Sequence, residues 1–456
     1  MANILGTLLA FAIVFFIVTF VHEFGHFMMA KLFGVKVKAF SFGIGLRLFG
    51  VRDGRFSFGK LAAGGIGTDY KLSLLPIICY VQMEGEGVFE KDRPLPPDDM
   101  MAKTRGQRFL IMVMGSVMNF VLAVILMSVV SGIGTRAVKY VDEAPVIGWV
   151  DPGSPAEKAG LRPDDLIVRI AGREVRTWKD VHIAVGLAPD RTVEIGFVRG
   201  GATHDVNLEI GSNKRLDVGY AGFNARIFTE VRMVLPDMPA EKAGLKPGDV
   251  IRAIDGRPVF APGFLDVVKS HPERELLFTI DRGGTVLDLR VTPRLEGGVG
   301  RIGIQQDAES VIKKYGFFAA IGNSLKENSY NALLIVRILK GLFTGETSAT
   351  QLGGPLAIAD ASYAFFKEGW ISLLTWIAFL SLQLGVINLI FPIPIVDGPQ
   401  IVILTLEAIF RRDVGLKFRL AYTYIGWAMM MALTAFVVLN DIVKKLPHGW
   451  GSLVPF

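Results

Sequence analysis

Long uncharged apolar runs dominate the hydrophobic pattern of the chain. A helix needs roughly 20 apolar residues to cross about 30 Å of hydrocarbon. Four runs reach that length, at residues 2–21, 109–135, 370–396 and 421–440. We therefore predict a multi-pass α-helical membrane protein with four transmembrane helices.

The first run has the length of a secretory signal peptide but lacks the basic residues that open such peptides. It continues directly into the sequence His22-Glu23-Phe24-Gly25-His26. Removing the run would destroy that motif, so we predict that it is retained as a helix.

Lysine and arginine collect in two loops, which sets the expected orientation. One cluster lies within residues 31–60 and the other within 411–419. Cytoplasmic loops accumulate such residues. Both termini and the segment 136–369 are therefore expected outside the cytoplasm, although Lys444 and Lys445 count against this orientation.

The long outer segment contains an internal repeat. "SPAEKAGLRPDDLIVRIAGREV" from Ser154 is echoed by "MPAEKAGLKPGDVIRAIDGRPV" from Met238, an offset of 238 − 154 = 84 residues. The same offset aligns "DVGY" at Asp217 with "RIGI" at Arg301 (301 − 217 = 84). Each copy predicts strands, a short helix and Gly turns. A repeat of this size is a pair of small domains rather than a solenoid.

The repeated pattern resembles the PDZ domain in its circularly permuted bacterial form. Domains of this kind add a peptide strand to a sheet edge and capture its terminal carboxylate. Peptide binding and a purely steric role are both open for this pair.

Residues 309–345 mix apolar positions at helical spacing with Lys and Glu. This mixture predicts one or two amphipathic helices lying at the outer membrane interface. A helical packing surface for the repeated domains is the alternative.

Composition limits the remaining classes. The 456 residues are 51% hydrophobic and 20% charged, which is too apolar for an ordinary soluble protein. The net charge of +6 is scattered through loops beside apolar runs, so we expect no nucleic-acid partner. The single cysteine, Cys79, excludes an internal disulfide framework.

The motif at the end of the first apolar run has the spacing of a zinc site. Residues four apart share a helix face, so His22 and His26 can bind one metal ion through their imidazoles. Glu23 is then placed to act as general base on a metal-bound water. An unpaired Glu in a span costs roughly 2.5–3.5 kcal/mol, which makes a functional role the natural hypothesis.

A catalytic zinc site normally has three protein ligands and one open position. Asp397 is the best candidate for the third, because it follows an otherwise uncharged apolar run. Pro392 and Pro394 break the helix before it and expose backbone groups that must line a cavity or be buried. A boundary Asp at the end of a span is the alternative.

Five features in this order resemble the site-2 protease family: "HEFGH", "GSVMNF", the tandem PDZ-like repeats, "GGPLAIA" and "NLIFPIPIVDG". The resemblance implies a zinc endopeptidase in the bacterial inner membrane that cuts single-pass proteins within their spans, with an active site open to the cytoplasm. It also implies an anti-sigma-factor-like substrate that an upstream site-1-type protease has already trimmed.

The same resemblance implies roles for individual residues. One Zn²⁺ per chain would be held by His22, His26 and Asp397, with Glu23 as the base. The substrate strand or developing oxyanion would be positioned by Asn388, Pro392 and Pro394. The strands around "GKLAAGGIGTDYKLSLLP" and "YVQMEGEG" would pair with the unwound substrate by strand addition.

The chain departs from the family pattern in several places. Pro76-Ile77-Ile78-Cys79 stands where the family has Pro-Leu-Gly-Gly, Gly115-Ser116 replaces Gly-Pro, and Gly398-Pro399-Gln400 replaces Gly-Gly-His, each of which puts substrate binding in doubt. The interval from Asn388 to Asp397 is one residue longer than usual, and we expect Asp397 to keep its place and Asn388 to be displaced.

Two other classes remain open. A weak or inactive scaffold would bind peptide C-termini through its outer domains. A tethered soluble-type zincin is disfavoured, because no linker separates the motif from the apolar run.

These inferences divide the chain into eight parts. They are the helix 1–33 with the metal motif, a cytoplasmic-side β-rich segment 34–104, the helix 105–136, PDZ domains 139–222 and 223–306, interfacial helices 309–345, the helix 369–398 and the helix 420–443.

Overall fold

The computed structural model describes residues 4–59, 66–86, 95–213, 218–345, 347, 349, 352–390, 397–412 and 414–444. They form two compact units. The first contains Met1–Thr135, Lys314–Thr344 and Leu352–Phe456, and the second contains Arg136–Lys313 and Gly345–Gln351.

Both units contain helices and strands, which are numbered here in chain order. The helices are α1 (Ile4–Leu32), α2 (Arg105–Ile133), α3 (Pro155–Lys158), α4 (Trp178–Gly186), α5 (Pro239–Lys242), α6 (Ala261–Ser270), α7 (Phe317–Thr344), α8 (Pro355–Glu368), α9 (Trp370–Ile390), α10 (Gly398–Phe410) and α11 (Leu416–Lys444). The strands are β1 (Val37–Arg52), β2 (Arg55–Phe58), β3 (Asp69–Met83), β4 (Thr135–Val138), β5 (Trp149–Val150), β6 (Leu166–Ile170), β7 (Arg173–Glu174), β8 (Arg191–Arg199), β9 (Ala202–Asn213), β10 (Val218–Tyr220), β11 (Phe223–Asn224), β12 (Thr229–Val234), β13 (Val250–Ile254), β14 (Arg257–Pro258), β15 (Leu276–Arg282), β16 (Thr285–Val291), β17 (Arg294–Glu296), β18 (Val299–Arg301), β19 (Ile304–Ala308) and β20 (Ser310–Lys313).

Four helices in the described part of the chain are long and apolar enough to cross a membrane: α1, α2, α9 and α11. The first is continuous through the metal motif and ends at Leu32. The second begins where Thr104 and Gln107 form a capping box that satisfies two backbone donors. The third ends at Ile390, and residues 391–396, where we predicted its last turns, lie outside the described residues.

Close approach of helix backbones holds the first unit together. A Cβ on Gly25 of α1 would lie 2.5 Å from the Met114 carbonyl oxygen of α2. A Cβ on Gly385 of α9 would lie 3.1 Å from the Ser116 carbonyl oxygen on the same α2. Small residues permit such packing in apolar helices, where dispersion contacts replace the hydrophobic effect. Helix α2 is therefore the central element that both α1 and α9 contact.

The segment between α1 and α2 forms a sheet in which two long strands fold back on themselves. Phe40 of β1 pairs with both Tyr70 and Val81 of β3, while Phe49 further along β1 pairs with Leu72 of β3. The lateral order is therefore the C-terminal half of β3, the N-terminal half of β1, the N-terminal half of β3, the C-terminal half of β1 and then β2. The C-terminal half of β3 is an edge, and it lies against α1.

Helix α7 is one continuous helix of 28 residues. It packs along α2 and α9: the Ser324 hydroxyl donates to the Val124 carbonyl at 2.8 Å, and Ile335 joins a core cluster with Ala123 and Leu382. One helix agrees with our expectation of one or two helices, while its location at the outer membrane interface stays a prediction. The helix begins at Phe317 rather than at 309, because Ser310–Lys313 form strand β20.

The second unit contains two copies of one α/β arrangement. In each copy a short Pro-Ala-Glu-Lys helix, α3 or α5, precedes a core strand, β6 or β13, and a longer helix, α4 or α6, precedes a hairpin. Each copy has its own buried core, centred on residues such as Ile167 and Ile195 in the first and Ile251 and Phe278 in the second.

The predicted spacing of the repeat is correct at its start and wrong at its end. The Ala156 and Ala240 N–H groups donate to the carbonyls of Ala221 and Ile302 respectively, each at 2.9 Å. The donors are 240 − 156 = 84 residues apart, but the acceptors are only 302 − 221 = 81 apart. The second strand of the hairpin has 12 residues in the first copy and 7 in the second, so the chain is shorter between equivalent contacts.

This shift changes two sequence predictions. Tyr220, rather than Asp217, is the counterpart of Arg301, and Asp217 lies outside the described residues. The boundary at 222/223 is also wrong, because Phe223 and Ala225 belong to the first core. The pairing of β11 with β5 keeps this stretch in the first copy.

A buried carboxylate fixes the same strand pair in both copies. The Arg199 guanidinium donates twice to Asp165, at 2.7 Å for each bond, and also to the Gly160 carbonyl at 2.8 Å. Arg282 and Asp249 repeat this arrangement at 2.7 and 2.8 Å. The side chain of Asp165 is 1% exposed, so its negative charge is stabilised by the Arg199 guanidinium rather than by water.

We expect Arg199→Met to destabilise the first copy by about 2–3 kcal/mol, because it leaves a buried carboxylate without its cation. Hydrogen–deuterium exchange of the β6 and β8 amides in the purified full chain measures this effect. The matched control is Arg176→Met, which breaks an exposed pair with Glu174 and should cost less than about 0.5 kcal/mol. Equal protection in the two variants would contradict the prediction.

Candidate metal centre

Three side chains converge at the centre of the first unit. The Oδ2 atom of Asp397 lies 2.9 Å from His22 Nε2 and 3.1 Å from His26 Nε2. The two imidazole Nε2 atoms are 3.2 Å apart. Among the described residues, these three form the one group of His, Cys, Asp or Glu whose ligand atoms could share a metal ion.

Local structure explains how each ligand arrives. His22 and His26 lie one turn apart on α1, so both rings project from the same face. Asp397 precedes α10 as its N-cap residue and forms no side-chain capping bond, which leaves its carboxylate for the histidines. The sequence-predicted ligand set is therefore brought together from elements 371 residues apart.

Hydrogen bonds on the far side of the imidazoles orient them. His26 Nδ1 donates to the Ile111 carbonyl of α2 at 2.8 Å, so its Nε2 carries the lone pair. His22 Nδ1 lies 3.2 Å from the Asn119 amide nitrogen, and Asn119 Oδ1 has no partner in the described structure. Turning this amide over lets Oδ1 accept from Nδ1–H, which frees His22 Nε2 for a metal.

Asn119 and Gly115 were absent from our predicted site residues, although "GSVMNF" contains both. A Cβ at Gly115 would lie 2.3 Å from His26 Nε2 and 2.8 Å from His22 Cε1. Only glycine lets α2 pass this close to the rings. The signal that could have identified them was a small residue and an amide, four positions apart, on one face of an apolar helix.

The donor set fits zinc. Two imidazole nitrogens and one carboxylate oxygen leave an open position in a tetrahedral site, which is the composition of catalytic zinc centres. The histidines are 6% and 4% exposed, so the ligands are protected from bulk water.

Glu23 points from the same helix toward the sheet. Its Oε2 atom accepts a hydrogen bond from the Val81 backbone N–H of β3 at 2.8 Å. The predicted base is thus next in sequence to a ligand, and its carboxylate is held by the edge strand.

Asn388 lies at the site, contrary to our expectation that it is displaced. Its amide nitrogen is 3.2 Å from His22 Nε2, and the residue is 4% exposed. Helix α9 remains regular through Ile390, and this regular helix carries Asn388 to the histidines. Pro392 and Pro394 lie outside the described residues.

We expect Asn119→Leu to weaken zinc binding about 10- to 100-fold, because the His22 ring loses the group that fixes its orientation. Zinc retained by the purified protein against a graded chelator series measures the change. The control is Asn323→Leu, which removes an amide that binds Ser131 on α2 away from the histidines. Unchanged zinc retention in Asn119→Leu would show that Asn119 does not orient the ligand.

Comparison with known proteins finds similarity over nearly the whole chain. The model of peptidase family M50 matches residues 10–433. A Ralstonia nicotianae protein that carries a zinc metalloprotease name is 31% identical over 97% of this chain and 100% of its own length. The regulator of sigma-E protease RseP is 30% identical in Salmonella typhimurium and 29% identical in Escherichia coli K12, each over 97% of this chain and 100% of the relative. The chain therefore belongs to peptidase family M50, the site-2 proteases, and is a zinc metalloprotease.

Proposed function

We propose that this protein cuts single-pass membrane proteins within their transmembrane segments. The observation that carries the proposal is the position of the three candidate ligands. His22 and His26 lie within an apolar helix of 29 residues, and the helices that pack around them, α2 and α9, are also apolar enough to cross a membrane. A site built there reaches peptide bonds that a soluble protease cannot reach.

The proposal includes the arrangement in the membrane. We take α1, α2, α9 and α11 as four spans of the inner membrane, with the repeated unit and both termini outside the cytoplasm. The basic loops within 31–60 and 411–419 support this orientation. The sheet between α1 and α2 exposes large apolar side chains such as Leu46 and Phe58, each 75% exposed, which suits contact with lipid.

In this proposal each residue of the site has one task. His22, His26 and Asp397 hold one zinc ion, and bound zinc supplies Lewis acidity to the scissile carbonyl and to the hydrolytic water. Glu23 accepts a proton from that water and delivers it to the leaving amine. The Asn388 amide donates a hydrogen bond to the oxygen that becomes negative during attack.

The substrate must be extended before it can react, because a helix hides its carbonyls in hydrogen bonds. The edge half of β3 provides a surface that can pair with such an extended chain. This edge lies beside Glu23, so strand addition would bring the scissile bond to the zinc site.

Names of relatives suggest the biological substrate. The Salmonella and Escherichia proteins are named as regulators of sigma-E. We propose an anti-sigma-factor-like substrate for this chain, trimmed first on its outer side by a site-1-type protease. The two copies in the second unit, which we take as PDZ domains, then exclude untrimmed substrates by size or deliver trimmed ones.

We expect Glu23→Gln to keep one zinc per chain and to lower cleavage of a single-span reporter by at least about 100-fold, because an amide cannot accept the proton. Metal analysis and reporter cleavage in detergent are measured on the same preparation. The control is Glu174→Gln, which alters an exposed carboxylate paired with Arg176 in the second unit. Wild-type turnover in Glu23→Gln would eliminate Glu23 as the base.

Removal of the outer domains separates the two roles proposed for them. Strands β4 and β20 pair, and the Lys139 N–H donates to the Glu309 carbonyl at 3.0 Å, so a short Gly linker can replace the chain between them. We expect this deletion of about 139–309 to permit cleavage of an untrimmed substrate, as a size filter requires. The readout is cleavage of trimmed and untrimmed reporters side by side. Loss of cleavage of the trimmed reporter would favour delivery over filtering.

A further inference from the structure

The edge of β3 that faces away from β1 is already occupied by side chains. The backbone N–H groups of Cys79, Val81 and Met83 are on alternate residues and face away from β1. Cys79 N–H donates to Thr19 Oγ1 at 3.2 Å, Val81 N–H to Glu23 Oε2 at 2.8 Å, and Met83 N–H to Glu86 Oε2 at 3.2 Å. Each of these three N–H groups, which an added strand would need as donors, therefore already has an acceptor.

Helix α1 supplies two of these partners at the spacing of a strand. Thr19 and Glu23 are four residues apart on a helix, a rise of about 6 Å. Alternate residues of a strand are about 6.7 Å apart. The two side-chain oxygens therefore stand where carbonyl oxygens of a paired strand would stand.

Thr19 is suited to this place because its hydroxyl proton is used elsewhere. Thr19 Oγ1 donates to the Phe15 carbonyl one turn back at 2.8 Å. Its lone pairs are then directed to an incoming N–H, so it acts toward Cys79 as an acceptor, as a backbone carbonyl would.

We propose that Thr19 and Glu23 form a removable cap on the edge of β3, and that pairing of the substrate displaces it. The inference rests on the proposed cleavage of an extended substrate at this edge. A substrate carbonyl that takes the Val81 N–H releases the Glu23 carboxylate toward the zinc site. Binding of a strand and release of the base are then one event. Thr19 competes with the substrate for the Cys79 N–H and has no part in the chemistry.

The test is the kinetics of Thr19→Val, which keeps the shape of the side chain and removes the acceptor. The Cys79 N–H is then unsatisfied until a substrate pairs with it, so KM for a single-span reporter should fall about fivefold. The value of kcat should stay within about twofold, since the paired strand is present in both the bound and transition states. Thr19→Ser keeps the oxygen and should match the wild type.

A role of Thr19 in folding alone gives a different result. It predicts that Thr19→Val raises KM or lowers zinc content, and either outcome overturns the cap. An unchanged KM also overturns it, because no competition for the Cys79 N–H would then exist.

Binding without cleavage separates this inference from the proposed function. In the Glu23→Gln background, where the amide oxygen can still accept from Val81, affinity for the uncleaved reporter should rise about fivefold on adding Thr19→Val. Absence of cleavage by the wild type would defeat the proposed function and leave this binding comparison intact. If Thr19→Val does not fold, Thr19→Ala, which also removes the acceptor, takes its place in the same binding comparison. An affinity for the reporter equal to that of Glu23→Gln alone would overturn the cap.

Discussion

The contact between α1 and α2 is the constraint on which the site depends. Gly25 of α1 lies against the α2 backbone, and Gly115 of α2 lies against the two histidine rings. The close approach of the two helices brings the Ile111 carbonyl to His26 and the Asn119 amide to His22. A larger side chain at either glycine would separate the helices and release both rings from the groups that orient them. Backbone proximity, together with the motif, therefore fixes the orientation of the two candidate ligands.

The second constraint is the hydrogen-bonding need of a strand edge. Unpaired N–H groups are costly where water is scarce, so an edge within an apolar environment must find acceptors. Helix α1 provides them from the turn before the metal ligands and from the motif itself. The same helix therefore supplies acceptors to the edge of β3 and carries His22 and His26, the candidate metal ligands.

The sequence indicated the three candidate ligands, while the packing of neighbouring helices around them could not be predicted from it. The four-residue spacing of the histidines and the isolated charge of Asp397 were visible in the sequence, because each depends on chemistry within one segment. Asn119 was missed, since its role depends on which face of α2 meets α1. The position of Asn388 was predicted wrongly because helix regularity through Ile390 could not be judged from two downstream prolines. The repeat offset failed at its end because hairpin length is free to vary between copies.

The pairing of β4 with β20 has a consequence for the history of the molecule. The chain enters and leaves the segment Arg136–Lys313 through two paired strands, so the two ends of that segment lie side by side. A gene segment with such adjacent ends can be gained, duplicated or exchanged without reordering the helices on either side. The duplication visible in this chain is an outcome that such adjacent ends tolerate, because each added copy can be accommodated without changing the order of the helices.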